Sequence, residues 1–180
     1  FCRGAEMAGH RIVAAIDRDE SALAVHGRNF PGCMQRRWTL PVPLGRLLKL
    51  IRRACNGHSR NLHLHASLDC TTLTRGATVD SERVRLKREA DLLAIQWFLA
   101  AVVEISLVAR CYSFQGFSWS FENAKVSHRG SGSQLYFMLE EMKRRFPSLC
   151  DFQSVNMQFY GVPQSRERVI AGRPLWLQAL

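Results

Sequence analysis

An α/β fold with a mostly parallel sheet is predicted by three features: short apolar runs that end on polar residues, helix-spaced apolar faces between them, and the alternation of the two along all 180 residues. Arg11 to Asp17 is a short apolar run closing on an acid and reads as a strand. Asp19 to Asn29 then places Ala22, Leu23, Val25 and His26 on one helical face before Phe30-Pro31-Gly32 stops it. Leu44, Leu47, Leu48 and Ile51 form the apolar side of a second helix, with Arg46, Lys49, Arg52 and Arg53 on its outer side and Asn56-Gly57 at its end. Leu62 to Ser67 alternates at period two and predicts a strand that enters a polar loop, Asp69 to Asp80. A long helix over about 81–109 is polar in its first turns and almost wholly apolar from Leu92 to Val103, so its second half is expected to be buried on most sides. Ser118 to Asn123 is a further strand ending on polar residues. Gly130 and Gly132 precede a helix from about Ser133 to Arg145, whose last turn carries Lys143-Arg144-Arg145, where the helix dipole favours cations. Short strands are expected near Cys150–Val155 and Val169–Ala171.

Composition narrows the classes. Lys and Arg number 25 against 15 Asp and Glu, a net charge of +10 that favours a polyanionic partner. The longest uncharged apolar stretch is the dozen residues Leu92–Val103, short of the roughly 20 needed for a bilayer, so no membrane span is expected. The six cysteines form no C-x-x-C pair and follow no secretory signal, which predicts reduced thiols in an intracellular protein with no structural zinc. One domain, residues 1–180, is expected. The start at Phe1, without an initiator Met, reads as a segment of a longer chain.

In an open α/β sheet, ligands bind beyond the carboxyl ends of the strands, so the polar strand ends are the candidate site residues. Asp17, with Arg18 and Asp19 after it, lies where doubly wound nucleotide-binding domains hold a ribose; an acid that merely caps a helix is the alternative. A Gly-containing turn should accompany it, and Phe1 to Gly9, with Gly4, stands in that place. Cys70 sits in a loop rich in hydroxyls and close to Arg75, as a nucleophilic thiol requires, though a small buried hydrophobe has the same signature. Glu122 and Asn123 close another strand and suit a general acid or a loop cap. His63 and His65 share a strand face, as metal ligands sometimes do, but no metal is expected because the further ligands of a zinc deaminase are missing. Gln164, Arg166 and Arg168 alternate, so in an extended segment all three side chains point one way, toward phosphates or a base edge.

Taken in order, these segments resemble the DNA (cytosine-5) methyltransferase family. The resemblance is carried by Ile12 to Asp19 followed by Asn29-Phe30-Pro31, by His65 to Cys70, by Phe121-Glu122-Asn123, and by Gly161 to Ile170 with its Q-x-R-x-R. It implies a Rossmann-like, doubly wound class I methyltransferase fold that uses S-adenosylmethionine, with DNA as the substrate and RNA not excluded. Under the resemblance Cys70 is the thiolate that adds to carbon 6 of cytosine, and Glu122 holds or protonates ring nitrogen 3. Arg166 and Arg168 anchor the flipped base and the active-site loop, with Asn123 and Gln164 as structural members. Asp17 takes the cofactor ribose, with Phe1, Gly4 and Arg18 completing the cofactor site. The family flips its target base out of the duplex, because the reacting atom is stacked inside it.

The chain departs from the family in four ways. Leu68-Asp69 replaces the proline before the cysteine, and the adjacent carboxylate opposes thiolate formation. The first loop is about half the usual length. The acid expected near Trp38-Thr39-Leu40, against the adenine, is missing. The target-recognition domain is expected to be absent, since the chain stops soon after the Q-x-R-x-R strand. A catalytically degenerate module that binds nucleic acid or a partner is therefore the second reading. An oxidoreductase would require a G-x-G-x-x-G that the sequence lacks.

Overall fold

The computed structural model describes residues 1–55, 61–69, 81–109, 114–125, 133–161 and 163–174. The chain divides into two compact units, Phe1–Arg60 and Asn61–Leu180.

The first unit runs α1 (Cys2–Met7), β1 (Ala14–Asp17), α2 (Glu20–Asn29), β2 (Met34–Arg37) and α3 (Leu44–Cys55). The opening segment, expected as a glycine turn, is helical. Ala5 N–H donates to the Phe1 carbonyl at 2.9 Å, Arg3 pairs with Glu6 one turn on, and Ala5, Glu6 and Met7 are good helix formers. The left-handed residue is Gly9, with φ +84°, so it ends the helix where a side chain would be strained. Asp19 caps α2 by accepting from the backbone N–H of Ser21 and Ala22 at 2.8 and 3.3 Å. β1 and β2 pair in parallel, Ala14 with Met34 through Asp17 with Arg37. β2 carries no apolar alternation and does not follow from the sequence; its residues, Met-Gln-Arg-Arg, show that pairing with β1 outweighs local pattern here. α3 buries Leu47, Leu50, Ile51 and Cys55 on one side.

The second unit runs β3 (Asn61–Ser67), α4 (Glu82–Val108), β4 (Gly116–Ala124), α5 (Ser133–Arg145), β5 (Asp151–Asn156), a 3-10 turn (Met157–Tyr160) and β6 (Glu167–Gly172). Its four-stranded sheet has the order β3-β4-β6-β5. β3 and β4 are parallel and joined through α4, as an α/β crossover requires. β6 lies antiparallel to both neighbours. The ten residues between β5 and β6 are too few for a parallel crossover, which takes a dozen or more, so the chain folds back and inserts β6 between β4 and β5.

By length and composition alone, α4 could cross a membrane, and it is longer than the dozen-residue stretch counted in the sequence. In this unit one side of it packs against the sheet, while Leu93 and Leu107 are exposed, so the burial expected on most sides holds only in part. Ile95, Phe98, Val102 and Ile105 are buried, and the Phe98 ring lies 6.1 Å from that of Trp119 and 6.0 Å from that of Phe121 on β4. Each such side chain contributes about 1.5–3 kcal/mol by leaving water. Trp119 satisfies its indole N–H on the Leu149 carbonyl at 2.8 Å. Period two then turns Ser118, Ser120 and Glu122 to the opposite sheet face, beside His63, His65 and Ser67 of β3.

Candidate functional site

The carboxyl end of β4 carries the centre of the site. Ser67 at the end of β3 is directly opposite Glu122 in the parallel register, and its hydroxyl donates to Glu122 Oε2 at 2.7 Å. On the other side Glu122 pairs with Ile170 of β6, and Arg168 follows diagonally on the same face, bringing Nε to 2.8 Å from Oε1. Both oxygens are therefore held, one by a hydroxyl and one by a guanidinium, and the side chains are only 17% (Arg168) and 29% (Glu122) exposed. A charge-assisted contact in so sheltered a place fixes the orientation of the carboxylate. In the sequence Ser67 is only the last residue of a predicted strand, with no signal that marks it for the site. Only the strand register reveals its place in the site.

Asn123, the next residue, points to the other face and is buried. Its Nδ2 donates to the Leu68 carbonyl at 3.1 Å, and its Oδ1 accepts from Ala124 N–H at 2.9 Å. It thus ties the end of β4 to the segment that leads into Cys70, a residue that lies outside the described ones. Asp69, whose charge the sequence sets against the thiol, is ion-paired: Lys87 Nζ in α4 is 2.9 Å from Asp69 Oδ2. Nothing in the sequence links two residues separated by 18 positions, so Lys87 emerges only from the packing.

The Q-x-R-x-R segment differs from its expected geometry. The strand begins only at Glu167, so Arg168 is in β6 while Gln164 and Arg166 lie exposed in the preceding loop. Alternation holds only within a strand, and the three side chains do not form one row. Asn156 is the reason: its Oδ1 accepts from Arg166 N–H at 3.1 Å and its Nδ2 donates to Ser165 Oγ at 3.0 Å. Met157 N–H donates to the Arg166 carbonyl at 2.9 Å. Arg166 is held through its backbone, with its side chain left to solvent. Glu167 turns away and pairs with Lys125 at 2.6 Å.

His63 and His65 do share a face, and they use it on serines. His63 Nδ1 is 2.8 Å from Ser118 Oγ and its Nε2 2.9 Å from Ser120 Oγ. His65 Nδ1 is 2.8 Å from the same Ser120 oxygen. Burial, and then the neighbouring His63, push the His65 pKa down to about 4. Among the described residues no group of three or more His, Cys, Asp or Glu could hold a metal ion.

In the first unit, Asp17 ends β1 exposed, with Oδ1 accepting from Asp19 N–H at 2.8 Å. This hydrogen bond fixes the carboxylate at the carboxyl end of the strand. Arg18 is exposed beside it, and its carbonyl accepts from Arg37 Nε at 3.3 Å. Phe1 is 57% exposed at the head of α1. Gly4 lies within α1 with open space where a Cβ would be, so no close approach requires a glycine there.

Among solved structures, the chain matches the S. pombe Dnmt2 methyltransferase with a TM-score of 0.57 at 13% identity, covering 94% of this chain and 44% of that one. A Spodoptera frugiperda DNMT2 variant matches with 0.56 at 16% identity, over 93% and 44%. An E. coli prophage-encoded protein described as a DNA modification methyltransferase matches with 0.57 at 17% identity, over 97% and 43%. This chain spans less than half the length of each. No protein-family model and no curated protein matches the sequence. At such identities the likeness is one of architecture: the chain has the α/β fold of these methyltransferases.

Proposed function

We propose that the chain is the catalytic core of a DNA cytosine-5 methyltransferase, which methylates carbon 5 of cytosine through a transient adduct with Cys70. The observation that carries this reading is the Glu122 carboxylate, held on one oxygen by Arg168 and on the other by Ser67 at the end of β4. A carboxylate fixed in this way at a strand end suits the recognition of a base edge, and it stands in the order of motifs that the family resemblance requires.

For S-adenosylmethionine, the chain offers a partial fit. Asp17, with its orientation set by Asp19 N–H, suits a ribose diol; exposed Arg18 follows it directly, and Phe1 is exposed at the head of α1 in the same unit. The helix Cys2–Met7 supplies no glycine turn at Gly4. The cofactor, when bound, supplies the electrophilic methyl group.

The residues of this chain do the rest. The Cys70 thiolate forms a bond to carbon 6, and the electron pair of the ring double bond moves toward carbon 5 and nitrogen 3. Glu122, after taking a proton from solvent, shares it with nitrogen 3, which stabilises the charge that addition puts into the ring. Arg168 keeps Glu122 in place, and Arg166 is available from the loop for the base or its phosphates. Once carbon 5 carries the methyl group, its proton passes to solvent water and the electron pair of that C–H bond re-forms the ring double bond. The carbon 6–sulfur bond breaks with its pair returning to the thiolate, and the proton on nitrogen 3 goes back to Glu122.

A second reading, a module that binds nucleic acid without turnover, is favoured by Leu68-Asp69 before the cysteine and by the helical first segment. Two measurements separate the readings: S-adenosylmethionine binding by calorimetry, and trapping on a duplex containing 5-fluorocytosine. The enzyme gives a heat of binding and an adduct that Cys70→Ser abolishes. Absence of both overturns the enzyme reading.

A further inference from the structure

The positive charge of the chain is not spread evenly. Phe1–Arg60 carries eleven Lys and Arg against four acids, so this third of the sequence holds +7 of the total +10. The four acids are all engaged: Glu6 with Arg3, Glu20 with Arg37 at 2.9 Å, Asp19 at the α2 cap, and Asp17 on Asp19 N–H. α3 has no acid at all. At 100° per residue its buried Leu47, Leu50, Ile51 and Cys55 fill one side, while Arg46, Lys49, Arg52 and Arg53, all exposed, fall within an arc of about 120° on the other. Among the described residues, Lys49, Arg52 and Arg53 make no ion pair. Arg46 is steadied by stacking, its guanidinium 4.4 Å from the ring centre of the buried Trp38.

We propose that this face of α3 is a docking surface for the phosphate backbone of duplex DNA, built from residues other than those around Glu122. It deepens the methyltransferase reading and rests on it for the choice of polymer. A rigid helix presents its cations at fixed spacing: Arg46 to Arg53 spans about 10 Å at about 1.5 Å per residue. One strand of a duplex advances about 3.4 Å per phosphate, so about three phosphates fall within that length. A regular row of charges is matched best by a regular row of phosphates, which a duplex provides and a flexible single strand must be ordered to give. The absence of any acid on the helix leaves the attraction uncompensated, and a backbone surface of this kind is indifferent to base sequence.

The test is binding of a short labelled DNA duplex, followed by anisotropy across a salt series. In the Lys49→Ala/Arg52→Ala/Arg53→Ala variant the slope of log affinity on log salt should become shallower by about 2.7, at about 0.9 per phosphate released. The charge-conserving variant Lys49→Arg/Arg52→Lys/Arg53→Lys should keep the original slope. An unchanged slope in the alanine variant overturns the proposal, as does equal loss in the charge-conserving one, which would mean a structural role. Displacement of the duplex by single-stranded RNA at equal phosphate concentration overturns the choice of duplex. The 5-fluorocytosine adduct of the unaltered protein reports separately on methyl transfer. An adduct with no change in the alanine slope sinks the α3 surface alone, and absence of both the adduct and the heat of S-adenosylmethionine binding, with the slope change present, sinks the enzyme reading alone.

Discussion

Arg168 Nε and Glu122 Oε1 meet at 2.8 Å across the antiparallel pairing of β4 and β6, with 17% and 29% of their side chains exposed. Removing one partner strands the other in a sheltered place. The cost lies between that of an exposed pair, up to about 1 kcal/mol, and that of a buried one, about 3–5 kcal/mol. Arg168→Ala should therefore destabilise the chain by about 1–3 kcal/mol in urea unfolding. In a Glu122→Gln background the same change should cost less, because no charge is left unpaired. Equal costs in the two backgrounds would show that the residues are not coupled.

His65 gives stability a pH dependence of known sign. Its pKa is depressed to about 4 from the usual 6.5, chiefly by burial and then by His63, so the unfolded chain binds its proton more readily. The contribution is fully present above pH 6.5, declines as pH falls through the interval, and is gone below about 4. At about 1.4 kcal/mol per pH unit it amounts to at most about 3 kcal/mol. Unfolding free energy should fall between pH 7 and pH 5, and His65→Gln should flatten that part of the profile. An NMR titration of the His65 ring with a midpoint near 6.5 would contradict the prediction.

The two histidines also show how far the sequence can be read. Period two puts His63 and His65 on one face, and the structure agrees, but their serine partners Ser118 and Ser120 are on β4 and emerge only with the β3–β4 register. The same holds for the site. Glu122, Asn123 and Arg168 are visible as strand-end polar residues, whereas Ser67 and Lys87 depend on pairing and packing that no local pattern encodes. α3 and α5 are legible because each joins an apolar face to a recognisable end signal, such as the basic last turn of α5. α2 is legible from its start at Asp19, although of its expected face only Leu23 is buried, with Ala22 and Val25 exposed, and α4 is legible from its apolar length. α1 is not, since two glycines suggest a turn that the helix formers between them outweigh. The antiparallel entry of β6 is hidden because apolar alternation carries no strand direction.

Asn123 makes a prediction about the loop before the cysteine as well as about stability. Its amide donates to the Leu68 carbonyl and accepts from Ala124 N–H, in a buried position. Asn123→Ala leaves both groups without this partner, at about 1–3 kcal/mol for each buried group left unsatisfied. Asn123→Asp keeps the acceptor for Ala124 but sets a carboxylate oxygen against the Leu68 carbonyl, and should lose more. Thermal unfolding should rank the three proteins as Asn, then Ala, then Asp. A stable aspartate variant would show that the Leu68 contact does not hold the loop.

Asp69 precedes Cys70 in the sequence and is ion-paired with Lys87. With Lys87 Nζ 2.9 Å from Asp69 Oδ2 and the pair part-buried, the carboxylate next to Cys70 is largely compensated. Lys87→Ala exposes the thiol to an uncompensated negative neighbour and should slow its alkylation by iodoacetamide at neutral pH. A change of about 1.4 kcal/mol in the cost of forming the thiolate is a factor of ten in rate, so a severalfold effect requires only a modest change. Asp69→Asn should accelerate alkylation, and in that background Lys87→Ala should do little, since there is no carboxylate left to compensate. Mass spectrometry of the Cys70 peptide in the four proteins reads the rates directly. If Lys87→Ala slows alkylation equally in the unaltered and the Asp69→Asn backgrounds, the lysine acts on the thiol itself and not through the aspartate.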